Sequence, residues 1–198
     1  MGKVQADGDP AAFAQLVDRW ERPIRRLCVR MIGDEHRGED LAQETFARVF
    51  AHRERFDAGR RFSTWLWRIA LNLCHEESRR LRRRGTRLTD DADASDGVGR
   101  VENDGPHARA VRSEQAQLVR DALQQLPDPH RAVVLLREYE NLKFREIADV
   151  LDVPEGTVKW RMSEALDQLG ELLKPILSSD ESPPTRKSRA VRPERLTL

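Results

Sequence analysis

Aromatic and arginine side chains alternate over one short stretch: Phe56, Arg60, Arg61, Phe62, Trp65, Trp67 and Arg68. That pairing suits unstacked bases, which need a flat face to stack on and a cation close to the phosphate. Arg79, Arg80, Arg82, Arg83 and Arg84 follow. A charge run is often only a solvated helix end, but its place directly after the aromatic segment favours nucleic acid. A second cluster comes late in the chain. Gly156, Lys159, Trp160, Ser163 and Glu164 fall on or near one face of a short helical pattern, as groove-reading side chains do. No paired-carboxylate, nucleophile–base or phosphate-loop motif accompanies them, so the chemistry expected is binding rather than catalysis. The five histidines have no metal-ligand spacing, and no metal or cofactor is expected. Cys28 and Cys74 sit on apolar stripes and read as buried free thiols in a reducing compartment.

The elements that must position these groups are helical. Asp9-Pro10 is a cap followed by proline at the first helical position. Phe13, Leu16, Val17 and Trp20, then Ile24, Leu27, Cys28 and Met31, form the stripe, interrupted by Pro23 and ended by Gly33-Asp34. A second helix is expected over about 36–52, with Leu41, Phe46, Val49 and Phe50 toward a core. Asp40, Gln43, Glu44 and Arg48 lie on its polar face, which is either solvated or a protein-docking surface. Ser63 is a candidate cap for a third helix over about 64–82, with Leu66, Ile69, Ala70 and Leu73 inward.

From Gly85 to Arg112 apolar periodicity is lost, and the pattern reads as a flexible acidic linker. Its 28 residues could span roughly 90 Å at ~3.4 Å each. A second domain over 113–175 starts with a helix striped by Leu118, Val119, Ala122, Leu123 and Leu126. Pro127-Asp128-Pro129 then opens the helix that carries Val133, Val134 and Leu136. Asn141 is a left-handed stop before a helix-turn-helix over 143–169. Its two stripes are Phe144, Ile147, Ala148 and Leu151, then Val158, Met162, Ala165, Leu166 and Leu169, with Pro154 starting the second helix. The tail over 176–198 is expected to be disordered. The fold class is therefore all-α: two small helical domains, 10–84 and 113–175, joined by the linker over 85–112.

Composition fits that division. Of 198 residues, 38% are hydrophobic and 35% charged, a lean core under a heavily charged surface. The net charge of +1 argues neither for nor against a polyanionic partner, so local clustering decides. Arginine supplies 30 of the 35 basic residues, and its planar fork suits phosphate and base edges. With neither a signal peptide nor a membrane-length apolar run visible, a cytoplasmic protein is expected.

In order along the chain, DLAQETFARVF (40–50), RFSTWLWRIALNLC (61–74) and LPDPHRAVVLLREYENLKFREIADVLDVPEGTVKWRM (126–162) resemble the extracytoplasmic-function (ECF) group of bacterial sigma-70-type sigma factors. These are promoter-recognition subunits of RNA polymerase, and not enzymes themselves. The resemblance implies that Asp40, Gln43, Glu44 and Arg48 meet the clamp coiled coil of the largest polymerase subunit. The flap of the second-largest subunit is a further implied contact. The loop Phe56–Phe62, with Arg60, Arg61, Trp65, Arg68 and Asn72, would hold a flipped-out base of the melted −10 strand. Thr157, Lys159, Trp160, Arg161, Ser163 and Glu164 would address the −35 duplex. Promoter DNA and an anti-sigma factor are the other implied partners, with membrane contact only through a membrane-anchored anti-sigma protein. Two positions depart from the family pattern: a small residue is common where Trp160 stands, and a basic one where Glu164 stands. The residues alone also admit a free-standing helix-turn-helix regulator. That reading accounts for the second half of the chain but not for the arginine–aromatic segment.

Overall fold

The computed structural model describes residues 9–85 and 106–177, with side chains over 9–84 and 115–174. Seven α-helices occur among the described residues: α1 Pro10–Ile32, α2 Glu35–Ala51, α3 Phe62–Gly85, α4 Pro106–Gln125, α5 Asp128–Val134, α6 Phe144–Leu151 and α7 Glu155–Leu177. A short 3-10 turn, Arg53–Arg55, follows α2, and a π-helical turn, Leu135–Tyr139, continues α5.

The first helix is bounded where its sequence says. The Asp9 carboxylate accepts from the N–H groups of Ala11 (2.9 Å) and Ala12 (3.3 Å). Gly33, at φ 81°, donates to Val29 O at the other end, a conformation that costs glycine little. Asp34 then caps α2 through the Arg37 N–H. The two helices meet closely at Gly38, where an added Cβ would lie 2.5 Å from Val29 Cα. Ile24, Leu27, Cys28 and Met31 of α1 pack with Ala42, Phe46 and Val49 of α2. Leu66, Trp67, Ala70, Leu71 and Cys74 of α3 complete that core.

In the second domain, Ile147 and Val150 of α6 and Val158, Met162 and Ala165 of α7 close on Ala132, Val133, Leu135 and Leu136. Asn141 (φ 54°) and Asp152 (φ 57°) take left-handed turns on either side of α6, and asparagine and aspartate tolerate that region better than most residues. Each large side chain fully buried in this way contributes about 1.5–3 kcal/mol. Exposed ion pairs contribute ~0–1 kcal/mol, so apolar packing sets the helix positions.

The structure corrects several expectations, among them that Phe50 and Val119 face inward, since each is 37% exposed. Helix α4 begins at Pro106, so the last seven residues of the predicted linker are helical; proline at the first helical position supplies the start. The expectations for 86–105 and 178–198 lie outside the described residues. Ser63 lies inside α3, whose first residue is Phe62, rather than capping it. Pro154 sits just before α7 rather than within its first turn. Leu166 is 52% exposed, while its neighbour Ala165 takes the inward position of that turn.

The domains also pack on each other, which the sequence reading did not anticipate. Helix α3 lies against α6, and α1 lies against α4, α5 and the π turn. The buried side chains of both domains form one continuous cluster.

Candidate nucleic-acid interface

The loop between the 3-10 turn and α3 is a built turn. The Asp57 carboxylate accepts from the Gly59 N–H at 2.9 Å, and the Arg60 N–H donates to Asp57 O at 2.9 Å. This Asx-type arrangement turns Arg60 and Arg61 outward, where both are exposed. The aromatics fasten the loop from beneath. Phe56 packs on Trp65 (5.2 Å between centroids) and edge-on to Phe62 (5.9 Å). Trp20 of α1 holds Phe62 (6.4 Å) and Trp67 (5.8 Å). Phe56 is 7% exposed and Trp67 is 2% exposed. The expectation that Trp67 offers a stacking face is therefore corrected: it is a core residue, on one stripe with Leu66, Ala70 and Cys74. Phe56 shapes the loop in this conformation, whereas Phe62 and Trp65 are half-buried.

Arg61, Trp65, Arg68 and Asn72 recur at helical spacing and so share one face of α3. Asn72 is exposed. Arg61 and Arg68 are engaged: Arg61 pairs with Glu146, and Arg68 donates to Asp149 O (2.6 Å) and Val150 O (3.2 Å) of α6.

On α7, Val158, Met162 and Ala165 face inward, while Lys159, Trp160 and Ser163 are exposed; Thr157, Arg161 and Glu164 are half-buried. Lys159 Nζ lies 2.7 Å from Glu155 Oε1 one turn back. Trp160, 57% exposed, rests edge-on against His130 of α5 at 5.6 Å. The structure thus groups five of the six predicted duplex contacts on or beside one outward face, while Arg161 falls at the edge of the inward stripe and is half-buried.

The third group lies on α2. Asp40, Gln43 and Glu44 are exposed, while Arg48 is half-buried between Glu44 (2.9 Å) and Glu76 of α3 (3.5 Å). Gln43 also lines a groove of about 520 Å³ between α1 and α2, with Val17, Glu21, Arg25, Glu39, Ala42 and Phe46.

Sequence reasoning missed Arg131. Only 6% exposed, it donates to Leu123 O (2.8 Å), Gln124 O (2.6 Å), Leu126 O (2.9 Å) and, across the domains, Met31 O (2.5 Å). Burial lowers its pKa and the Asp128 carboxylate opposes that shift. Its signal was a lone arginine heading the apolar run AVVLL. The two cysteines are buried together, and the Cys28 thiol, followed by burial, pushes the Cys74 thiol well above its ordinary range. No helix among the described residues is long and apolar enough to cross a membrane.

The described residues thus form two small helical domains, one with an arginine-edged loop and the other with an exposed polar face on its last helix. Residues 16–84 match the Sigma-70 region 2 family and residues 116–169 match Sigma-70, region 4. The chain is 35% identical over 176 residues to the ECF RNA polymerase sigma factor SigW of Bacillus subtilis, covering 85% of this chain and 92% of that one. It is 33% identical over 177 residues to the RNA polymerase sigma-H factor of Pseudomonas aeruginosa, covering 86% and 90%. Among solved structures it is similar to the sigma factor RpoE in complex with the anti-sigma factor NepR from Bartonella quintana. There the TM-score is 0.67 at 22% identity, covering 82% of this chain and 97% of that one. It is also similar to CnrH in complex with the cytosolic domain of CnrY, with a TM-score of 0.64 at 25% identity, covering 89% and 94%. The chain belongs to the ECF group of sigma-70-type RNA polymerase sigma factors.

Proposed function

We propose that this chain docks on core RNA polymerase and directs it to promoters by reading a −35 duplex and a melted −10 strand, supplying no catalysis of its own. The observation that carries this reading is the outward face of α7. Lys159, Trp160 and Ser163 project from a helix whose opposite side packs in the core, and they stay exposed although Lys159 meets Glu155 and Trp160 touches His130. Lysine at phosphate, tryptophan against sugar or a thymine methyl, and Glu164 toward a cytosine amino group would divide that work. The exposed Arg60 and Arg61 on a fixed turn, with Asn72 along the same helix face as Arg61, suit an extruded base: cations for its phosphates and an amide for its edge. Asp40, Gln43, Glu44 and Arg48 would meet the clamp coiled coil, and the flap would meet the second domain. An anti-sigma protein is the proposed inhibitor, the kind of partner that NepR is for the similarly folded RpoE, and the cytoplasm is the proposed compartment. The test of docking is the affinity of the purified chain for core polymerase. Asp40→Arg with Glu44→Arg should weaken it at least tenfold with unchanged helicity, and unchanged affinity would remove the assignment of the α2 face.

A further inference from the structure

Trp160 is the most exposed large apolar side chain among the described residues, yet its ring is not free in solvent. Successive residues turn by ~100° around an α-helix. Trp160 therefore stands roughly 160–200° around α7 from the buried Val158 and Met162, at the centre of the outward face. By the same count Gly156, Ser163 and Glu164 lie beside it, and Lys159 lies on the flank. An indole at such a position ordinarily samples several rotamers. Here the ring leans sideways onto His130 of α5, 5.6 Å between centroids at 65°.

His130 sits on a rigid mount. Pro127 and Pro129 fix the backbone where α5 starts, and the His130 N–H donates to Pro127 O at 2.9 Å. The next residue, Arg131, ties that first turn to the end of α4 by donating to Leu123 O, Gln124 O and Leu126 O. Nδ1 of His130 is buried without a hydrogen-bond partner, so no bond at that nitrogen aims the ring. Its packing does, and the edge-to-face contact with Trp160 is part of that packing. The contact limits the indole before any DNA arrives, so less freedom is lost on binding.

We infer that His130 is a positioning residue for Trp160, and that the indole so held reads the C5 methyl of a thymine in the −35 duplex. The inference rests on the −35 reading proposed above and names what the ring recognises there. A residue at the centre of the outward face meets the floor of the major groove. On that floor the thymine methyl is the apolar group that the base edges offer, whereas sugars line the walls. Lys159, on the flank, is placed for the phosphates instead.

The test uses the full chain assembled with core polymerase. The probe is the −35 duplex that this complex selects from a randomised library, with each thymine of either strand replaced in turn by deoxyuridine, which lacks only the methyl group. One replacement should weaken wild-type binding about fourfold. That is the factor ~0.8 kcal/mol for one buried methyl-sized group gives at ~1.4 kcal/mol per tenfold. Trp160→Ala should bind the thymine and deoxyuridine duplexes equally. His130→Ala keeps the indole but should lower the discrimination below twofold, and His130→Phe, which restores an aromatic edge, should recover it. The log–log salt slope, set by phosphate contacts, should be the same in all of these variants. A purely structural role for His130 would weaken binding to both duplexes alike and leave their ratio at the wild-type value, which would overturn the positioning role. Wild type indifferent to every replacement, or Trp160→Ala as discriminating as wild type, would overturn the methyl contact. Failure of the sigma-factor reading itself would appear earlier, as no complex with core polymerase.

Discussion

Arg131→Leu is expected to cost the second domain far more than any surface charge change. The side chain donates four hydrogen bonds to backbone carbonyls, three of them at the end of α4, and faces the buried Asp128 carboxylate at 3.9 Å. Leucine fills much of the stem volume but satisfies none of those oxygens, and it leaves Asp128 to Arg82 alone among the ion pairs described. Removing one partner from a buried ionic group costs about 3–5 kcal/mol, mostly as desolvation left uncompensated. At the low end of that range, ~3 kcal/mol over a urea slope of about 1.5 kcal/mol per molar moves the midpoint down by ~2 M. Arg80→Leu is the control: a half-exposed residue paired with Glu77 one turn away, expected to cost less than ~1 kcal/mol. Arg131→Lys should lose most of the stability too, since one ammonium cannot span four carbonyls. The assay is urea unfolding with hydrogen exchange on the amides of 123–136, where the loss should concentrate. A midpoint shift no larger than that of Arg80→Leu would refute the reasoning and mean that water serves those carbonyls equally well.

Three further outcomes follow from named contacts. Gly38→Ala should destabilise by about 1–3 kcal/mol in thermal unfolding, because its Cβ would meet Val29 backbone that cannot move aside cheaply. His75 has a buried Nε2 without a hydrogen-bond partner, and its pKa is lowered from 6.5 by burial, Asp128 opposing and Arg79, Arg82 and Arg161 adding to the shift. A base with a depressed folded pKa contributes stability above its unfolded value and loses it on acidification. Unfolding midpoints should therefore fall from pH 7.5 toward pH 5, and His75→Gln should flatten that dependence. Lys159→Ala should weaken −35 binding on every sequence and reduce the log–log salt slope by about 0.9, whereas Glu164→Ala should alter preference at one base pair by ~1–3 kcal/mol; equal scaling of all promoter variants would contradict that division.

Much of the fold was legible because the helix ends carry their own chemistry. Asp9-Pro10, Gly33-Asp34 and Asn141 each mark a boundary by satisfying or stopping backbone hydrogen bonds locally. Gly105-Pro106 carried the same kind of signal for α4, hidden in an acidic, glycine-rich stretch where periodicity is weak. Trp67 was misread because aromatic–arginine clustering outweighed its place on a core stripe, although its spacing to Ala70, Leu71 and Cys74 was visible. The packing of one domain on the other could not be read from spacing. It rests on side chains that meet backbone carbonyls 81 to 100 residues away, and a carbonyl's need for a donor is the same at every helix end.

The central claim is that the arginine-edged loop and Asn72 capture a base during promoter opening. The most direct measurement is permanganate detection of unpaired thymines in the complex of core polymerase, this chain and a duplex promoter it transcribes. Wild type should open the duplex. Asn72→Ala or a replaced 59–62 loop should bind polymerase and the −35 duplex normally yet open far less, with partial rescue on a pre-melted template. Opening to the wild-type extent and with the wild-type −10 selectivity by both variants would contradict the account and reduce the loop to a connector.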